Sequence, residues 1–493
     1  MAVRGQFSNR LGFIMAAAGS AVGLGNIWKF PFEVGQGGGA VFVVMYLLFC
    51  FALCFPVMVT EIAIGRKTQR NPVGAFNALG YKNWNFVGKL GIFSGILILS
   101  FYNVVAAWAF GYVFELAKGH FAIGQEFGDY ISSVVKISIY AVIFMIATAL
   151  IVSKGVSKGI EKATKIMMPT LILIILFLAV YALTKEGSLE GLKFYFKPDI
   201  TKINGKVLYG AAGQAFFSLS LGMGALITYG SYFSKKDNIT SSAALITVMD
   251  VGIALIAGLM MFPFVSFMVH SNPDLISGLL ESNQKVADIV AANPGMSNLE
   301  IFLLPEAENS GPGLIFATLP TAFESLGAAG AALGAIFFLL LSFAALTSTV
   351  SLLEVPVSYV VDEFGTKRNV AVWLMAGIIF IIGIPSMLSG GYSEFFSSSF
   401  KLPGIKDSDF LSMLAEISNI LLLFGGLLIT LFASFVWKKN HLQEELAIGA
   451  KNYSSSFMSK YISFAVVYLC PIVLGIIFLF TLLSRLFDIQ VFV

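Results

Sequence analysis

The residues able to do chemistry stand inside long apolar runs. Asp250 lies in Ile246-Thr247-Val248-Met249-Asp250-Val251-Gly252, with apolar sequence on both sides. A carboxylate in such a setting is expensive and marks a functional position by default. Two further strings interrupt apolar runs: Gly19-Ser20-Ala21-Val22-Gly23-Leu24-Gly25-Asn26 and Ser218-Leu219-Ser220-Leu221-Gly222-Met223-Gly224. Each carries a Gly-x-Gly with hydroxyl or amide side chains beside it. Glycine costs about 1 kcal/mol relative to alanine inside a helix, so both strings are places where a helix can unwind. An unwound stretch frees carbonyls at a helix C-terminal end, which suit a cation. It frees N–H groups at a helix N-terminal end, which suit an anion. Such a break can hold a sodium ion beside a carboxylate.

Other chemistries find no support. No HExxH or CxxC occurs, and His120, His270 and His441 sit at or beyond the ends of apolar runs. A metal-dependent hydrolase and a nucleophile–base enzyme are therefore not expected. Cys50 and Cys54 lie one turn apart on one apolar helix and Cys470 lies in another, which reads as packing rather than a disulfide framework. No basic tail or stripe suggests nucleic acid.

The elements that position these residues follow from composition. Of 493 residues, 57% are hydrophobic and 12% are charged, against about 25% charged in soluble proteins. The chain reads as a polytopic membrane protein in contact with lipid. A crossing helix needs about 20 mainly apolar residues, and continuous runs favour helices over a barrel. The predicted spans are 11–33, 40–64, 90–117, 135–153, 166–184, 208–232, 242–269, 330–361, 369–388, 410–437 and 461–485. The first is read as a retained span rather than a signal peptide. Most of the 31 basic residues, among them Arg10, Arg66, Lys67, Arg70, Lys158, Lys162, Lys235, Lys236, Lys367, Arg368, Lys438 and Lys439, fall on one side. The positive-inside rule then puts the N-terminus in the cytoplasm and, with eleven spans, the C-terminus outside. The loop 270–329, with Gly311-Pro312-Gly313 and Leu319-Pro320, is too long for a connector and is expected to be a partly structured external lid.

Glycines in a single membrane helix commonly serve packing. Here the two interrupted runs are spans one and six, equivalent positions if spans one to five and six to ten are repeats. Interrupted segments so placed point to a transporter binding site at mid-membrane.

The strings resemble the neurotransmitter:sodium symporter family over nearly the whole chain. Arg10-Leu11-Gly12 with Ala21-Val22-Gly23-Leu24-Gly25-Asn26-Ile27-Trp28-Lys29-Phe30-Pro31 is similar to its first span, and Gly37-Gly38-Gly39-Ala40-Phe42 with Glu61-Gly65-Arg66 to its second. Gln214 to Gly222 resembles its sixth span, Gly311 to Leu314 with Leu319-Pro320 its external loop, and Ala344-Ala345-Leu346-Thr347-Ser348 its eighth span. The rule on interrupted helices is itself drawn partly from this family, so the two are not independent. The resemblance implies sodium-coupled symport on the leucine-transporter fold. That fold is all-α, with eleven transmembrane helices: a 5+5 inverted repeat with broken helices one and six, plus one extra helix. Repeat one would cover about 11–184, repeat two about 208–437, and the extra helix about 461–485. No organic cofactor is implied, and no oligomeric state is selected.

Carried over by resemblance, one sodium would be held by the Ala21 carbonyl, Asn26, Ser218 and Asp250. A second would be held by the carbonyls of Gly19, Val22 and Ala344 and the hydroxyls of Thr347 and Ser348. The substrate carboxylate would meet the N–H groups of Leu24 and Gly25 and the Tyr102 hydroxyl. Ser20, Ile98, Tyr102, Phe217, Ser220, Met223, Ser348 and Leu352 would line a mostly apolar side-chain pocket. Amine-carrying members have Asp where this chain has Gly23, so an α-amino acid, apolar or aromatic, is expected. Members with Asn at the position of Asp250 rely on chloride, so chloride independence is expected here. Arg4 and Asp362 match the internal gate, with Phe7 and Tyr232 beside them. Lys29 stands where arginine is usual and Leu414 where the acid is usual, so a looser, water-mediated external gate is expected. Glu61 and Glu354 are read as structural. The rival reading, a proton-coupled carrier of the same fold, would not need the hydroxyls of Thr347 and Ser348.

Overall fold

The computed structural model describes residues 5–304, 314–400 and 409–486. Arg4 and Gly311-Pro312-Gly313 lie outside the described residues. Among those described, the chain is built of helices and connecting turns, with no strand.

Among the described residues, nine helices are long and apolar enough to cross a membrane. They are Ala40–Thr68, Lys82–Ala117, Val134–Ser153, Val156–Leu183, Ile239–Ser271, Gly327–Phe364, Arg368–Leu388, Phe410–Val436 and Phe457–Leu483. A tenth crossing is a bent pair, Arg10–Ala21 and Gly25–Gln36, whose halves meet at 47°. The predicted sixth span is also in halves, Gly205–Ser218 and Ala225–Gly230, neither long enough to cross alone. With those two broken crossings the arrangement is consistent with eleven spans. Several helices run past their apolar cores. Span five starts at Val156 rather than 166 because its charged first turns find partners. Glu161 accepts the Ser8 N–H at 2.8 Å and Lys165 Nζ at 2.6 Å, and also the Ser8 hydroxyl.

Both breaks have local causes. Val22 is extended, with φ −74° and ψ 106°, although its N–H still reaches Ala18 O at 2.7 Å. The Asn26 side chain then takes the Gly23 N–H at 3.0 Å. In span six, Ser220, Gly222 and Gly224 have φ of 54°, 77° and 74°. Gly222 also packs directly on the Leu422 carbonyl, where a Cβ would collide. Its N–H donates to Glu61 Oε1 at 2.8 Å, so the expected structural role of Glu61 is visible.

The long loop after span seven is helical in pieces: Asp274–Ser282, Gln284–Ala292, Asn298–Phe302 and Leu314–Glu324. Ser297 and Glu300 form a reciprocal cap on the third. On the side bearing the N-terminal residues, Arg66 is fully buried. Its Nε donates to Glu445 Oε1 at 2.7 Å and its Nη1 to Asp237 O at 2.6 Å, and Nη2 reaches the Glu445 carbonyl. This pair ties span two to the helix Lys439–Ala447 between spans ten and eleven. Removing one partner of such a pair leaves an uncompensated charge, at a cost of about 3–5 kcal/mol. Arg66→Ala should therefore lower the detergent melting temperature sharply, and the double variant with Glu445→Ala should lose clearly less than the sum. An additive result would show that the two residues act separately.

Candidate functional site

The two breaks face each other and are laced by side chains. Gln214 Nε2 donates to Gly25 O at 2.7 Å, Ser220 Oγ to Ser20 O at 2.9 Å, and Asn26 Nδ2 to Ser218 Oγ at 3.0 Å. Gln214 was not singled out as a site residue, although its amide inside the sixth apolar run is a signal of the same kind as Asn26.

Asp250 comes to this junction from span seven and has no exposed surface. Its Oδ1 accepts from Asn26 Nδ2 at 2.8 Å and its Oδ2 from Ser218 Oγ at 2.8 Å. Tyr46, from span two, donates to Oδ2 at 3.4 Å. The sequence-predicted trio is thus brought together, and Tyr46 is the member it missed. The donor set is carboxamide, hydroxyl, carboxylate and carbonyl oxygen, the hard ligands an alkali cation takes. Among the described residues no group of three or more His, Cys, Asp or Glu is arranged for a metal ion. The residues present fit a sodium ion and not a catalytic transition metal.

A second oxygen cluster lies on the other side of the first break. Thr347 Oγ1 donates to Ala344 O at 2.9 Å and reaches Val22 O at 3.2 Å. Gly19 packs on the same threonine, with a Cβ there falling 3.5 Å from Thr347 Cβ. Ser348 does not share this orientation. Consecutive helix residues are rotated about 100° apart, and Ser348 Oγ instead donates to Ser20 O at 3.3 Å.

Between the breaks is a small cavity lined by Ser20, Ala21, Gly23, Gly25, Ile98, Tyr102, Phe217, Ser220, Met223, Ser348 and Leu352. Every residue expected in the side-chain pocket is on this wall. Leu24 and Ser218 are not: Leu24 contributes its N–H to Tyr102 Oη at 2.8 Å, and Ser218 turns to Asp250. Gly23 has no room for a side chain. A Cβ would lie 2.6 Å from Tyr102 Oη and closer still to Ser348 Oγ.

One end of the cavity is covered by Phe217. Lys29 Nζ stands 4.4 Å from that ring's centroid and donates to Asn419 Oδ1 at 3.1 Å. Lys29 thus has a direct, uncharged partner in Asn419, with Glu33 and Glu416 close enough to act on the ammonium electrostatically. Asn419 was missed because it carries no charge. Leu414 is packed in the core. At the other end Phe7 packs edge-on to Tyr229 and Tyr232, with centroids 5.8 and 6.3 Å away. Tyr232 Oη donates to Glu354 Oε1 at 2.7 Å, and Arg368 pairs with the same carboxylate. Asp362 accepts from the Asn71 N–H at 3.0 Å; its expected partner Arg4 is outside the described residues. A larger open cavity lies at this end, with Tyr232, Asp362 and Arg368 on its wall.

A sequence model of the sodium:neurotransmitter symporter family matches residues 4–123 and 117–402. The chain belongs to this family. It is similar to the uncharacterized sodium-dependent transporter YhdH of Bacillus subtilis, 33% identical over 96% of this chain and 97% of that one. It is also similar to the human sodium- and chloride-dependent taurine transporter, 25% identical over 80% of this chain and 67% of the relative. The crystal structure of MhsT in complex with L-phenylalanine superposes with a TM-score of 0.81 at 38% identity, covering 97% of this chain and 99% of that one. This member of the sodium:neurotransmitter symporter family is a multi-pass membrane transporter coupled to sodium, and not an enzyme.

The tight wall at Gly23 yields a direct expectation. Gly23→Ala must displace the Ser348 and Tyr102 hydroxyls, so ligand affinity in equilibrium binding should fall by at least tenfold. Substitution with no loss would mean that the cavity is not the binding site.

Proposed function

We propose that this symporter takes up an apolar or aromatic amino acid with two sodium ions, independently of chloride, by alternating access. The observation that carries the reading is Asp250, fully buried and hydrogen-bonded to Asn26 and Ser218 at the junction of the two broken helices. A first sodium would sit among Ala21, Asn26, Ser218, Asp250 and the substrate carboxylate. A second would sit among Gly19, Val22, Ala344 and Thr347, with Ser348 turning from the Ser20 carbonyl to join them when the ion binds. The carboxylate would meet the N–H groups of Leu24 and Gly25 and the Tyr102 hydroxyl. Because the first ion and the carboxylate share a shell, each raises the other's affinity by the same factor.

An amino-acid substrate is supported by Gly23, which offers no carboxylate for a lone amine, and by the L-phenylalanine held by the similar MhsT. An apolar side chain suits the wall of Ile98, Met223 and Leu352. Asp250 supplies a fixed negative charge where other members would need a bound anion. The basic-residue bias supports a cytoplasmic N-terminus. The external gate would then be Lys29 with Asn419 and Phe217, and the internal one Arg4, Phe7, Tyr232 and Asp362. The two halves, about 11–184 and 208–437, would rock as repeats around the site, with 461–485 as the added helix. Each sodium entering down a 100 mV potential contributes about 2.3 kcal/mol to uptake.

Uptake of radiolabelled amino acids into proteoliposomes tests this reading. Activity should require sodium and be equal in chloride and gluconate; equal activity in potassium or choline would sink sodium coupling. Asp250→Asn should raise the sodium requirement at least tenfold and make residual uptake depend on chloride. Strict chloride dependence of the unaltered protein would remove the assigned role of Asp250.

A further inference from the structure

The cavity hydroxyls are not interchangeable, because each hydrogen has a place to go. A serine hydroxyl has one donor and two acceptor lone pairs. Ser351, behind the wall on span eight, donates to its own helix at Ser348 O, 2.8 Å away. Its oxygen is thereby turned to accept, and Ser20 Oγ donates to it at 2.7 Å. Ser220 spends its hydrogen on the Ser20 carbonyl at 2.9 Å, and Ser348 Oγ is engaged by both that carbonyl, at 3.3 Å, and the Tyr102 hydroxyl. Ser20 and Ser220 thus offer the cavity lone pairs and no hydrogen, and Ser348 is taken up by its protein partners.

Ser220 and Ser348 flank the breaks, where the ammonium and carboxylate of an amino acid would be held. Ser20 remains for the side chain, 2% exposed and held by Ser351 with its oxygen ready to accept. The rest of the side-chain wall is Ile98, Phe217, Met223 and Leu352, with Tyr102, whose hydroxyl is assigned to the substrate carboxylate, and no lining residue is charged. A carboxylate or amide oxygen would face lone pairs. A lysine or arginine head would lack a counter-charge. A short hydroxylic side chain would leave the apolar wall unfilled. The chemistry that satisfies every surface is a bulky apolar side chain carrying one N–H or O–H donor, which among amino acids means the indole of tryptophan or the phenol of tyrosine.

We infer that the symporter selects aromatic amino acids bearing a ring-edge hydrogen-bond donor, tryptophan and tyrosine above phenylalanine, and that Ser20 is the specificity-determining acceptor, aligned by Ser351. The inference rests on the amino-acid reading above.

The test is sodium-dependent equilibrium binding to the purified full-length protein. It compares tryptophan with its benzothiophene isostere, which keeps shape and loses the N–H, and tyrosine with phenylalanine. One neutral hydrogen bond predicts about a fivefold to tenfold preference for the donor-bearing member of each pair. Ser20→Ala should collapse both ratios to about one, and Ser20→Thr, which keeps the oxygen, should restore them. Ser351→Ala should shrink them, because Ser20 then recovers a hydrogen to point inward. Equal affinities within each pair in the unaltered protein would overturn the inference without any variant. Sodium-dependent binding with flat ratios strikes this inference alone, whereas no sodium-dependent binding of any of the four strikes the amino-acid reading as well.

Discussion

A single buried carboxylate organises this molecule. Asp250 has no exposed surface and sits where an unpaired charge is costly by several kcal/mol. It is tolerated because Asn26 and Ser218 both turn to it, and those residues belong to the two broken helices. The carboxylate thus holds the breaks in register with each other and with spans two and seven. An oxygen-lined ion site follows from the same three residues that neutralise the charge.

The breaks themselves need support. Each unpaired buried backbone group costs about 1–3 kcal/mol, and the unwinding of two helices frees several. Two partners arrive from across the bundle, Glu61 for the Gly222 N–H and Gln214 for the Gly25 carbonyl, and one is local, Asn26 for the Gly23 N–H. A polar core of side chains from several spans therefore replaces hydrogen bonds that an intact helix would make for itself. It also spaces the breaks far enough apart to leave the cavity between them.

The two ends of that cavity are closed by different physics. At one end a lysine stands over an aromatic ring and reaches an uncharged amide. Such a contact is softer than a bidentate ion pair, which suits an element that must open in each cycle. At the other end a tyrosine, a glutamate and an arginine are linked under a layer of aromatic rings.

Much of this was legible in the sequence, for a physical reason. Hydropathy and glycine placement act locally, so the spans, the two breaks and the exceptional status of Asp250 and Asn26 could be read from neighbours alone. The resemblance then carried the pocket residues, because a matching string brings its geometry with it. What the string could not carry were partners chosen by through-space packing. Asn419 beneath Lys29 and Tyr46 beside Asp250 come from distant spans, and Arg368 on Glu354 from the start of the next helix; none has a local signature. The division of Thr347 from Ser348, and the direction in which each serine spends its one hydrogen, depend on which helix lies opposite. The sequence by itself determined that a polar site must exist at two unwound helices. Only the tertiary structure decided which atoms face it, because orientation is settled by contacts between segments hundreds of residues apart.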